Sequence, residues 1–252
     1  MTEPLDLARR LVAAAARITA FTGAGISAES GIPTYRGAGG LWREYDPAKF
    51  ADIEYFREDP SYYWRFFRDV RYRAIADARP NAGHLALAEL ERRGKLQAVV
   101  TQNIDGLHQA AGSRRVYELH GNTRFIDCLD CGATYDFAAI HEQVRTELPP
   151  RCRACGGRLK PRVVFFGEAL PERALRAAEA VVASCDLLLV VGSTLQVHPA
   201  AALPPMAKQI GARIVIVNVG PTAMDHLADA FLDGPAGTIL PRLLEPPGAS
   251  PR

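Results

Sequence analysis

Apolar residues fall along this chain in two rhythms. Short, nearly unbroken apolar runs occur at ARITAFT (16–22), LQAVVTQ (96–102), VYELHG (116–121), DLLLVVGST (186–194) and ARIVIVN (212–218). Each has the length and composition of a strand. Between them lie stretches with helical spacing: NAGHLALAELERRG (81–94), with Gly94 suited to a C-cap, the short DGLHQAAG (105–112), ALPERALRAAEAVVASC (169–185), and a segment around 199–210. Alternating strands and helices predict an α/β fold built on a parallel sheet. Two stretches break the rhythm. Residues 38–79 are rich in Trp, Tyr, Phe and Arg and read as short helices joined by loops, and residues 122–161 carry paired cysteines and turns. There is no internal repeat, and EPPGASPR (245–252) reads as a frayed tail.

Composition narrows the picture. At 252 residues the chain fits one large α/β domain or one domain with a small insertion. Hydrophobic residues at 48% and charged residues at 23% allow an ordinary core without disulfide staples. A net charge of +2 demands neither nucleic acid nor an acidic membrane surface. No run approaches the roughly 18 apolar residues of a membrane-spanning helix. The opening MTEPLDLARR carries Glu3 and Asp6 where a signal peptide would be basic, so a cytoplasmic location is expected.

Four groups of residues carry candidate chemistry. Gly23-Ala24-Gly25-Ile26-Ser27-Ala28 follows a strand and opens a helix, as in a dinucleotide-binding turn, where glycines bring backbone amides close to a pyrophosphate. A plain glycine turn would look similar. The acidic residue that a hydride-transfer enzyme places about 20 residues later is missing; the chain runs instead into Pro33, Tyr35, Arg36 and GAGGLW. Next, Cys128-x-x-Cys131 and Cys152-x-x-Cys155 have the spacing of a tetrahedral zinc site with four thiolates. A closed ligand set makes such a zinc structural, and Gly132 and Gly156-Gly157 suit tight turns beside the pairs. Two disulfides or four unrelated thiols are the alternatives, and Cys185 reads as a small buried residue. Third, TQNIDGLH and ELHGN bring Gln102, Asn103, Asp105 and His120 to strand ends, where open α/β sheets bind ligands. A histidine there can serve as general base near neutral pH. Asn103 and Asp105 could equally cap the following helix, and His120 could be a satisfied core residue. His108 reads as a bystander. Fourth, Gly192-Ser193-Thr194 and Asn218 end strands with small or polar groups suited to phosphate and ribose, or to turns alone.

Taken together these motifs resemble the sirtuins, the Sir2-type NAD-dependent protein-lysine deacylases, in their bacterial form. GAGISAESGIPTYRG, TQNIDGLH, ELHGN, the two CxxC pairs, PRVVFFGE, VGSTLQVHPAA and IVNVG occur in family order across nearly the whole chain. The resemblance implies a Rossmann-like NAD-binding domain (1–37, 80–121 and 162–252) with a small module of a helical part (38–79) and a zinc-ribbon part (122–161), the active site lying in the cleft between them. It implies that Gly23, Ala24, Gly25 and Ser27 contact the phosphates of NAD, and that Glu29 to Arg36 form a mobile cofactor loop, with Tyr35 where the family often has Phe and Arg36 near the ribose. Gln102, Asn103, Ile104 and Asp105 would surround the nicotinamide and its ribose, with Asn103 assisting the chemistry. Gly192, Ser193, Thr194 and Asn218 would take the adenosine side. His120 would be the catalytic base. Val164, Phe165, Gly167 and Glu168 belong to the segment that pairs with the substrate peptide as an added strand, Val164 and Phe165 lining the acyl-lysine tunnel.

The implied chemistry is not redox. Nicotinamide leaves, the substrate amide oxygen attacks the ribose, His120 helps deprotonate a ribose hydroxyl that attacks the resulting imidate carbon, and water completes the reaction to give free lysine and O-acyl-ADP-ribose. The expected cofactors are NAD and one structural zinc ion, and the expected partners are acylated-lysine proteins, with no obligate nucleic acid and no membrane; oligomeric state is left open. GAGGLW (37–42) resembles the branch that removes succinyl and malonyl groups, which carries Tyr-x-x-Arg in its helical module. Here Phe67 and Val70 occupy those two places, and neither pairs with a carboxylate. Arg68 and Arg71 lie one position off, on a different face if the helix is regular. Deacetylation is therefore favoured over desuccinylation. An NAD-dependent ADP-ribosyltransferase and a non-catalytic zinc-ribbon module on a nucleotide sensor are the competing readings.

Overall fold

The computed structural model describes residues 3–37 and 39–246, so the end of the proposed frayed tail lies outside the described residues. The chain forms two compact units, one of residues 1–31, 79–119 and 171–252, the other of 32–78 and 120–170. Residues 32–37 and 162–170, placed with the larger domain in the sequence reading, therefore pack with the smaller unit, and the GIPTYRG stretch straddles a unit boundary at 31/32.

The first unit is a six-stranded sheet in the order β3-β2-β1-β7-β8-β9. Its strands are β1 (Ile18–Thr22), β2 (Leu96–Thr101), β3 (Val116–Glu118), β7 (Leu187–Val191), β8 (Arg213–Asn218) and β9 (Ala230–Asp233), all parallel. Every residue of β1 and of β7 is buried, which is why these strands read as apolar runs: helices cover both faces of such a sheet. The helix Glu3–Ala14 buries Leu5, Ala8 and Val12 in this core. A second helix, Ala82–Arg92, adds Ala86, Leu87 and Leu90, each large aliphatic side chain contributing about 1.5–3 kcal/mol. Asn81 caps the second helix, accepting the Gly83 N–H at 2.9 Å. From β1 the chain steps outward to β2 and β3, then returns past β1 to β7, β8 and β9. The winding reverses between β1 and β7, and at such a switch point a crevice opens beyond the carboxyl ends of the strands.

The second unit contains a three-stranded antiparallel sheet in the order β5-β4-β6, with β4 at Gly121–Cys128, β5 at Thr134–Asp136 and β6 at Leu159–Val163. Short helices follow at Pro47–Phe50, Ile53–Glu58 and Pro60–Phe66, each begun by an aspartate cap (Asp46, Asp52, Asp59). The aromatic residues of the 38–79 stretch form its core: Phe56, Trp64 and Phe67 are almost wholly buried. Trp64 donates its indole N–H to the Leu159 carbonyl at 2.9 Å, fixing the helical part to β6. No helix among the described residues is long and apolar enough to cross a membrane.

Candidate active site and metal centre

The turn after β1 meets the turn after β7. Gly23 donates its N–H to the Val191 carbonyl at 3.0 Å, and Gly25 donates to the Gly192 carbonyl at 2.8 Å. A Cβ on Gly23 would stand 2.7 Å from Gly192 O, one on Gly25 2.7 Å from Gly192 Cα, and one on Gly192 itself (φ +62°) 2.3 Å from Ile26 N. These glycines are therefore required because two backbones touch. Their own amides are already spent; among the described residues it is the Ala24 N–H that keeps no backbone acceptor in this turn. The glycine amides on which the pyrophosphate expectation leaned are thus bonded within the protein, around the Ala24 N–H.

Beneath this turn lies a connected polar web centred on Ser27, a residue with no solvent exposure. Its hydroxyl donates to Asp105 Oδ2 at 2.7 Å and accepts from Asn103 Nδ2 at 3.1 Å. His84 Nε2 stands 3.4 Å from the same oxygen. The Asn81 N–H approaches His84 Nδ1 at 3.4 Å, which leaves the imidazole proton on Nε2, directed at Ser27. Asp105 divides its labour: Oδ1 caps the helix Leu107–Ala110 by accepting the Leu107 N–H at 2.9 Å, and Oδ2 holds Ser27. The capping reading of Asp105 is met by Oδ1, while Oδ2 is held within the web by Ser27.

The web continues below Asn103. The Asn103 N–H donates to Thr101 Oγ1 at 3.0 Å, Thr22 Oγ1 donates to Thr101 Oγ1 at 2.8 Å, and His108 Nε2 lies 2.9 Å from Thr22 Oγ1. Burial, and secondarily the neighbouring His84, pull the His108 pKa down to about 3. Burial likewise lowers the His84 pKa, against the opposing pull of Asp105. The floor of the site therefore holds two neutral imidazoles with ring centres 5.0 Å apart. Sequence reasoning did not single out His84; its signal was the Asn81-x-x-His84 spacing, which forms a capping box with histidine in place of the usual Glu.

Along the crevice, Gln102 donates its side-chain amide to Ser193 Oγ at 2.9 Å, and that oxygen also receives the Leu195 N–H at 3.3 Å. Thr194 accepts the Ala223 N–H through its carbonyl. Asn218, at the end of β8, spends its amide on the carbonyls of Val219 (3.2 Å) and Gly220 (2.8 Å). Ile104 is half-buried beside Asn103. Glu29 is exposed and caps the helix Ala236–Leu243 through the Gly237 N–H at 2.5 Å.

The second unit holds the remaining candidates. His120 follows β3 directly in the chain, and its carbonyl accepts the Val164 N–H at 2.9 Å, tying it to the VVFFGE segment. Phe165 is buried, its ring centre 4.7 Å from Tyr63 and 5.3 Å from Phe56. Gly167 has φ +89°, and a Cβ there would press on Ile53 at 2.9 Å. Tyr35 packs on Trp42 at 4.8 Å and beneath the Arg71 guanidinium at 4.6 Å, and with Arg36 and Trp42 it lines an open pocket.

Arg68 and Arg71 stand on a helix that does not meet the condition set for the comparison of faces. It is not regular: Phe67–Tyr72 is a π-helix, whose wider turn takes in an extra residue and shifts the phase of the faces. Arg71 is consequently turned inward, 5% exposed, and among the described residues its Nη1 has no hydrogen-bond partner. Arg68 pairs with its neighbour Asp69 instead. Phe67 is 1% exposed and stacks on Tyr63, while Val70 is half-buried.

The four cysteines meet as their spacing requires. All four are free thiols, and their sulfurs lie within 4.8 Å of one another. Cys128 and Cys155 are 3.6 Å apart, Cys131 and Cys152 3.7 Å. A tetrahedron with zinc–sulfur bonds of about 2.3 Å has edges of about 3.8 Å, so the cluster fits one zinc ion with no position left open. Each knuckle closes alike: Gly132 donates to the Cys128 carbonyl at 3.0 Å and Gly156 to the Cys152 carbonyl at 2.8 Å, both glycines at positive φ.

Comparison with known proteins agrees with this geometry. The model of the Sir2 family matches residues 23–199. The NAD-dependent protein deacylase 2 of Archaeoglobus fulgidus is 49% identical, over 97% of this chain and 96% of its own length. A solved Sir2 enzyme superposes with a TM-score of 0.92 at 49% identity, covering 97% of both chains. A Sir2 complex with a deacetylated p53 peptide and 3′-O-acetyl ADP ribose superposes with a TM-score of 0.90 at 37% identity, covering 94% of this chain and 95% of its own. The fold, the switch-point web and the thiolate cluster stand together in a chain that belongs to the Sir2 family.

Proposed function

We propose that this protein is an NAD-dependent protein-lysine deacylase that releases nicotinamide and passes the acyl group to ADP-ribose. The observation that carries the reading is the Ser27–Asn103–Asp105 web at the switch point of the sheet, in a chain whose relatives are named for this activity. NAD supplies the electrophilic ribose carbon and is consumed. Ala24, framed by Gly23 and Gly25, offers its N–H to the phosphates. Asn103, Asp105, Ile104 and Gln102 position the nicotinamide ribose and its carboxamide, with Asn103 and Asp105 held by Ser27 and Gln102 by Ser193. Gly192, Ser193, Thr194 and Asn218 receive the adenosine side. Tyr35 and Arg36 cover the cofactor, with Glu29 at the base of that loop. His120 takes the proton of a ribose hydroxyl, and Val164, Phe165, Gly167 and Glu168 receive the acyl-lysine peptide. One zinc ion on Cys128, Cys131, Cys152 and Cys155 has a structural part.

Acetyl and other uncharged acyl groups are the favoured substrates, because Phe67, Tyr63 and Phe165 build an apolar aromatic surface without a tyrosine–arginine pair in the expected register. One observation favours a second reading: the buried, under-partnered guanidinium of Arg71 would suit an acidic acyl group. Nicotinamide release and product mass, measured across acetyl, butyryl, succinyl and longer acyl peptides, test both. Acetyl-lysine should turn over faster than succinyl-lysine at equal NAD; the reverse order, abolished by Arg71→Met, would establish the second reading. His120→Ala should lose on the order of 10²–10⁴-fold in rate. Label from NAD retained on protein, without O-acyl-ADP-ribose, would mark an ADP-ribosyltransferase instead.

A further inference from the structure

The sequence contains four lysines, and Lys160 alone among them is buried, at 6% exposure. A buried ammonium needs every donor satisfied. Lys160 Nζ donates to the Val163 carbonyl at 2.6 Å and to Glu168 Oε2 at 2.9 Å, and it stands 4.3 Å from the centre of the Phe165 ring. Glu168 closes the figure: its Oε2 also accepts the Phe165 N–H at 2.8 Å, and its own N–H donates to the Phe165 carbonyl at 3.0 Å. Burial lowers the Lys160 pKa, against the opposing pull of Glu168.

These contacts all fall on one stretch of backbone. Residues 163–166 are held by Lys160, by the His120 carbonyl, by Glu168, and by Ala51 and Ile53, which pair with Phe166 at 2.7 and 3.1 Å. Among the described residues the Val164 carbonyl keeps no backbone partner and is the acceptor left for an incoming peptide. A buried ion pair is a poor source of stability, since an apolar pair of the same shape often serves as well. Its distinctive contribution here is shape: it sets both the Phe165 ring and the carbonyl direction of a segment that, beyond Val163, makes an isolated parallel bridge between Phe166 and Asp52.

We propose that Lys160, through its ion pair with Glu168, is a positioning residue of the acyl-lysine peptide site, clamping residues 163–168 in the form that receives the peptide. The inference rests on the deacylase reading and extends it to a residue buried beneath the site. Steady-state kinetics on the full-length zinc-loaded protein, with an acetyl-lysine peptide, test it. Lys160→Met and Glu168→Gln should each raise the peptide KM at least tenfold, leave NAD affinity by calorimetry within twofold, and leave the zinc content at one per chain; Lys160→Arg should recover part of the loss.

The double variant Lys160→Met/Glu168→Gln separates clamp from mere stability. It should regain most of the lost thermal stability, because no buried charge is left unpaired, yet keep the raised peptide KM. Recovery of both, or a peptide KM within twofold of wild type in Lys160→Met, would overturn the clamp. Wild-type protein that releases no nicotinamide with any acyl peptide would overturn the functional reading itself, and the clamp with it, a failure visible before any variant is made.

Discussion

At Gly192 a single added carbon would break the turn on which the site is built. Its φ of +62° is unfavourable for any side chain, and a Cβ would sit 2.3 Å from Ile26 N and 2.6 Å from Gly25 C. Neither neighbour can yield, because both are backbone. Gly192→Ala should therefore cost on the order of 2–4 kcal/mol, strain and overpacking together. Gly211 provides the control: its φ is +85°, but nothing lies within 4 Å of its Cβ position. Gly211→Ala should cost only about 1 kcal/mol. Urea midpoints of the two variants measure the difference, and equal losses would refute the close-approach argument. The same scale explains what sequence could and could not say about the polar residues. Asp105 was legible as a cap, since that role follows from its place just before a helix. His84 was not, because the Ser27 oxygen it supports lies 57 positions away.

At the scale of elements, the helices Ala82–Arg92 and Leu107–Ala110 each bury a histidine against the sheet. The His108 pKa is pulled down to about 3 by burial, and that of His84 is lowered by the same cause. The sign follows from linkage: above the ordinary histidine pKa of about 6.5 both folded and unfolded chains are neutral and nothing is gained. As pH falls below it, the unfolded chain binds protons that the folded chain refuses, so stability drops by up to about 1.4 kcal/mol per pH unit for each such histidine. Folding free energy from denaturant titrations between pH 7 and pH 5 should decline accordingly. His108→Gln should flatten that decline by close to one proton's worth; an unchanged slope would show that His108 does not carry it. The π-helix at Phe67–Tyr72 belongs to this scale too. Counting positions on a regular helix did not foresee the widened turn in which Phe67 and Arg71 are both buried.

For the molecule as a whole, the thiolate cluster ties β4 and β5 to the strand–turn region that leads into β6, and β6 carries the Trp64 anchor. Zinc removal should thus loosen the second unit while sparing the parallel sheet, whose core consists of aliphatic side chains. Both tryptophans, Trp42 and Trp64, lie in the second unit, so their emission reports on it alone. Chelation, or Cys128→Ser, should shift emission to longer wavelength with little change in the strand and helix signal of the first unit. Restoring zinc should reverse the chelator's effect. An emission spectrum indifferent to chelation would argue against a structural zinc.

The sequence by itself determined whatever is encoded in neighbouring residues. Buried strands such as β1 and β7 announce themselves because every residue on β7 is apolar and β1 adds only threonines to its apolar positions. The zinc knuckles announce themselves because two cysteines and a glycine suffice to make the turn. Motif order was enough to indicate the family. Tertiary structure alone decided what depends on packing between distant segments. It showed that Gly23, Gly25 and Gly192 are small because two turns touch, and that Asn218 spends its amide on its own turn. It also turned Arg71 inward and brought Lys160 under Phe165. Hydrogen bonds and close contacts act over a few ångströms of space, whatever the number of residues between the partners, and only the folded chain brings those partners within reach.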